Sequence, residues 1–102
     1  MQKVRILGEE WKIYNKRLVD ADGKCFPGSR EIWIHNRIDP AATSINRVIR
    51  HEIIHAFMFE SGLGYNFEWD KDGVDETLVD WFAIQYPKIK AVFDILGIAN
   101  DE

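Results

Sequence analysis

The sequence predicts a small α+β domain. Alternating apolar and polar residues fill the first third of the chain, and apolar residues at helical spacing fill most of the rest. Strands that precede helices, instead of interleaving with them, point to that class. Length agrees: 102 residues fit one domain, residues 1–102, able to bury a modest core unaided by metal or disulfide.

The predicted sheet is short, about three strands. Val4 and Ile6 alternate with Lys3 and Arg5 until Gly8 ends the pattern. Trp11, Lys12, Ile13 and Tyr14 read as a second strand after that turn. Asp20-Ala21-Asp22-Gly23 is a turn signal, and Cys25-Phe26-Pro27-Gly28-Ser29 reads as irregular. Glu31-Ile32-Trp33-Ile34-His35 alternates cleanly and is the clearest strand. Asp39 then looks like an N-cap with Pro40 as the first helical residue, opening a motif helix that runs to Glu60. Ser61, Gly62 and Gly64 stop it, and a loop rich in Gly, Asn and Asp continues to Gly73. A second helix fits 74–86, with Asp72 or Asp75 favouring its dipole. Pro87 ends or kinks it, and a C-terminal helix covers 88–96 before Gly97.

Composition narrows the function. Hydrophobic residues make up 46% and charged residues 29%, a globular balance, and the 13% of aromatics argues against disorder. A net charge of −4 with scattered cations argues against nucleic acid as the main partner. Cys25 is the one cysteine, so no internal disulfide forms, which fits a reducing compartment. The first residues lack a secretory pattern, and no stretch is apolar enough to span a membrane, so a cytoplasmic protein is expected.

The chemistry concentrates in His51-Glu52-Ile53-Ile54-His55. Histidines four residues apart share a helix face, their side chains about 6 Å apart, and both can aim a nitrogen at one metal ion. Glu52, beside the first histidine, is placed to take a proton from metal-bound water. A catalytic zinc takes three protein ligands and leaves one position open. Glu76, on the second helix, is the candidate third ligand, with Asp75 as its rival. Asp80, one turn on, shares its face and could accept the free N–H of a ligand histidine.

These segments, His51 to Phe57 and Asp75 to Trp81, resemble the gluzincin metallopeptidases. More narrowly, the chain is similar to short phage and mobile-element proteins of the ImmA/IrrE and SprT-like kinds. The likeness covers roughly residues 20 to 86, with a turn and strand at 22–34 ahead of the motif helix. It implies a zincin-like fold, a Zn2+ cofactor held by His51, His55 and Glu76, Glu52 as general base, and a peptide or protein substrate. It also implies that residues 31–35 form the strand above the cleft, to whose edge an extended peptide would add. The resulting expectation is a zinc metallopeptidase, with a catalytically silent binding or regulatory module of the same fold as the alternative.

Plainer readings stand beside each assignment. Glu76 and Asp80 could be ordinary helix carboxylates, and His35 an exposed strand histidine. Tyr65 could stabilise an oxyanion or simply pack, and Cys25 could cap the metal or serve as a small buried hydrophobe. The tryptophans at 11, 33, 69 and 81 read as core or rim.

Overall fold

Four strands and two helices carry the domain: β1 (Gln2–Ile6), β2 (Glu9–Lys16), β3 (Gly23–Phe26), β4 (Glu31–His35), α1 (Ile45–Glu60) and α2 (Val74–Leu96). The computed structural model describes residues 1–63 and 74–101, with side chains left out at 74–77, 79 and 80. The α+β expectation holds; among the described residues there is one strand more than expected, and the two helices expected after residue 73 are one.

β1 and β2 form a hairpin in which Ile6 pairs with Glu9. Only Leu7 and Gly8 remain for the loop, at φ 50° and 86°. Two positive φ values are what a two-residue turn of this hand requires, and Gly8 adopts its own without a Cβ penalty. The sheet order is β1-β2-β4-β3, with β4 parallel to β2 and antiparallel to β3. β4 is therefore interior, paired on both sides, so it cannot offer the free edge expected of residues 31–35. That edge belongs to β3. The sequence pattern hides β3 because its inward positions are Gly23 and Cys25, which give no apolar alternation, and Pro27 follows at once.

Alternation turns Val4, Ile6, Trp11, Ile13, Ile32 and Ile34 toward α1 and α2, where they meet Ile53, Ala56, Phe57, Ile89 and Val92. Trp11 is fully buried and its Nε1 donates to Glu60 Oε1 at 2.9 Å. Arg30 Nε donates to the same oxygen at 2.6 Å, so the end of α1 is tied to the sheet by a shared carboxylate.

α1 starts later than expected. Ser44, in extended conformation, is the N-cap, its hydroxyl accepting from Arg47 N at 3.3 Å. Asp39 caps a separate single turn instead: its Oδ1 accepts from Ala41 N and its carbonyl from Ala42 N and Thr43 N. Two N-cap residues in succession divide the segment, and the second opens the long helix.

α2 runs 23 residues straight through Pro87, where two helices were expected. Proline removes one N–H and leaves the carbonyl four residues back without its helical donor. Both Pro87 and Ala83 are exposed, so water can satisfy that carbonyl. Gly97, at φ 70°, ends α2 with Ile98 N bonded to Phe93 O and Gly97 N to Asp94 O. This is the six-to-one and five-to-two pairing of a glycine helix stop. Among the described residues no helix is long and apolar enough to cross a membrane.

Candidate metal centre

The face of α1 that packs on the sheet carries Ile53, Ala56 and Phe57. At about 100° per residue, His51 and His55 fall on the opposite, open side, and Glu52 stands at the margin between. Burial follows this geometry: both histidines are exposed, and Glu52 is only 6% exposed.

The imidazoles face each other. Their Nε2 atoms lie 3.1 Å apart, with ring centroids at 4.8 Å and planes inclined by 72°. For zinc–nitrogen bonds of about 2.05 Å, a 3.1 Å separation subtends ~98°, close to tetrahedral. The same distance suits a hydrogen bond between neutral rings of opposite tautomer. Donor atoms of His51, Glu52 and His55 all fall within 4.8 Å of one another, a candidate metal-binding group. Two imidazoles and a carboxylate suit zinc as well as other divalent ions.

Glu52 is walled in by β3. A Cβ built on Gly23 would stand 2.8 Å from Glu52 Oε2 and 2.9 Å from Val48 Cγ1. The strand can approach α1 this closely only because residue 23 has no side chain. Burial raises the Glu52 carboxyl above its ordinary range, and His51 and then His55 oppose that rise. Asp22, Gly23, Arg47, Val48, His51 and Glu52 line an open cleft of about 280 Å³.

Cys25 lies on β3 and packs against the core. Burial, followed by the nearby Glu52 carboxylate, pushes its thiol up to about 12, so it stays protonated at neutral pH. His35 points to the sheet face opposite α1, where its Nδ1 accepts from Leu18 N at 3.0 Å. That is a loop-fixing role, away from His51 and His55.

Glu76 and Asp80 lie in the first two turns of α2, as expected, but their side chains fall outside the described residues, as does that of Asp75. Tyr65, Trp69 and Asp72 also fall outside them. α2 packs against α1, and Trp81 Nε1 donates to Ser61 Oγ at 2.8 Å. The early part of α2 is thereby anchored beside the end of the motif helix.

The sequence reading missed Gly23, Asp22 and Arg47 as cleft residues. Asp22-Gly23 carried a signal, but one that reads as a turn. Arg47 precedes His51 by one helical turn, so the helix repeat could have found it. No family model matches the chain, and no curated protein or solved structure matches it either.

Proposed function

We propose that this protein is a zinc-dependent peptidase in which His51, His55 and Glu76 hold the metal and Glu52 is the general base. The observation that carries the reading is the pair of exposed imidazoles, Nε2 atoms 3.1 Å apart, beside a buried carboxylate. A hydrogen-bonded pair of surface histidines accounts for the 3.1 Å contact but gives no reason to bury Glu52 next to it.

Zinc bound there would acidify a water toward a pKa of about 7 and polarise the scissile carbonyl. Glu52 accepts the proton as water attacks that carbonyl, then delivers it to the departing amine when the C–N bond breaks. Its burial suits both roles, because a carboxyl raised above its ordinary range holds a proton more readily between the two transfers. In this reading Asp80 would accept the outer N–H of a ligand histidine and fix the ring. β3, whose Gly23 lies against Glu52, is an edge strand among the described residues, and an extended peptide would add to it.

The test is hydrolysis of quenched fluorescent peptides by the zinc-loaded protein and by Glu52→Gln. Activity should fall about 10²–10⁴-fold in the variant, with zinc content unchanged. Full activity in a zinc-loaded Glu52→Gln protein would remove the general-base assignment.

A further inference from the structure

α1 and α2 cover one face of the sheet; among the described residues no element packs against the other. Side chains that alternate with the buried ones project there. Tyr14 and Trp33 are register partners on adjacent strands, and Phe26 packs on Trp33 with ring centroids 4.5 Å apart. The three rings are half-buried and form a low aromatic strip across β2, β4 and β3. Around it lie Lys3, Arg5, Lys12, Lys16 and Lys24, against Glu10 and Glu31 on the same face. With Asp20, which meets Lys24 at 3.2 Å, the face carries about +2 on a chain of net charge −4, a segregation that the overall charge conceals.

We infer that this face binds single-stranded nucleic acid, with phosphates on the lysines and bases stacked on Tyr14 and Trp33. Single strands present unpaired π-faces, and aromatic platforms bordered by cations hold them with little sequence preference. A duplex hides its π-faces in the stack, and an acidic peptide would use the charges but leave the rings idle. The Lys16 ammonium sits 4.0 Å from the Trp33 ring centroid and 5.1 Å from that of Tyr14. Lys16 thus stands where a base would stack, and binding requires it to exchange the Trp33 ring for a phosphate. Three contacts oppose it: Glu10 meets Lys3 at 3.9 Å and Asp20 meets Lys24 at 3.2 Å, both exposed and weak, and Glu31 Oε1 accepts from Trp33 Nε1 at 2.9 Å, at the ring's edge and not on its π-face. Cross-strand aromatic pairs also stabilise sheets, which explains the rings but not the gathering of cations around them. The inference is independent of the histidine site.

The experiment is fluorescence anisotropy of labelled oligothymidine, roughly 15 nucleotides long, over a salt series with the full chain. Binding is expected at low salt. Trp33→Ala should weaken it about tenfold, Trp33→Phe should retain most of it, and Lys12→Gln with Lys24→Gln should flatten the log–log salt slope by about 1.4. If Trp33→Ala does not fold by circular dichroism, the lysine pair and a polyglutamate competitor decide. No binding at low salt overturns the inference. So does equal competition by polyglutamate, which would make the face a docking surface for acidic peptides.

Discussion

Glu52 is a carboxylate with 6% exposure on an otherwise apolar helix margin, next to a strand that comes close only through Gly23. Burying a charge without a paired cation is costly, and the raised pKa of this carboxyl expresses that cost. Glu52→Gln keeps the shape and removes the charge. Besides losing hydrolysis, the metal-free variant should therefore melt at the same temperature as the parent or higher at pH 7; a clear drop would show that the charge is compensated. Gly23→Ala tests the same contact from the strand. Its methyl would stand 2.8 Å from Glu52 Oε2, so helix or strand must shift, at about 1–3 kcal/mol by denaturant unfolding. An unchanged midpoint would mean that Glu52 swings aside freely. The sequence disclosed His51, Glu52 and His55 because their relation is local to one helix. It could not disclose Gly23, whose role arises from meeting Glu52, 29 residues away in the chain, in the fold.

At the scale of elements, the N-terminal turn of α1 is held by the chain segment after α2. Ser44 Oγ donates to Asp101 O, Asn46 Nδ2 to Asn100 O and Arg50 Nη1 to Ile98 O. Asp101 also receives Arg47 at 2.7 Å and is bonded to Arg50. Hydrogen bonds from Arg50 and then Arg47 hold the Asp101 carboxyl below its ordinary 3.8. A lowered folded-state pKa contributes stability that is present above the unfolded value and lost as pH falls through the folded one. Asp101→Asn should thus lower the melting temperature at pH 7 and converge with the parent as pH drops below about 3.8. A gap that persists at the acid end would assign the effect to something other than this carboxylate. α2 offers a second check: Pro87→Ala restores an N–H to the exposed Ala83 carbonyl and should stabilise by up to about 3 kcal/mol in chemical denaturation. Destabilisation would show that the ring packs. The helices were legible through their periodicity, and β1, β2 and β4 through alternation. What misled were boundary signals: Asp39 with Pro40 marks a real cap but of a single turn, and Pro87 marks a break that solvent exposure makes unnecessary.

At the scale of the whole molecule, one layer of sheet and one of helix among the described residues leave open surfaces of different character, two of which carry the readings above. One is the cleft between α1 and β3, lined by His51 and Glu52; the other is the outer sheet face with its rings and lysines. The fold class followed from the order of strands and helices, whereas the segregation of charge depends on strand register, which composition averages away. The central claim is that the histidine pair holds a metal, and metal content tests it most directly. The chain should be purified without chelator and its bound metals determined beside His55→Ala and Glu76→Ala. About one zinc per chain is expected in the parent, with a marked loss in both variants. A parent that takes up no zinc even when it is supplied would contradict it and leave His51 and His55 as a hydrogen-bonded surface pair.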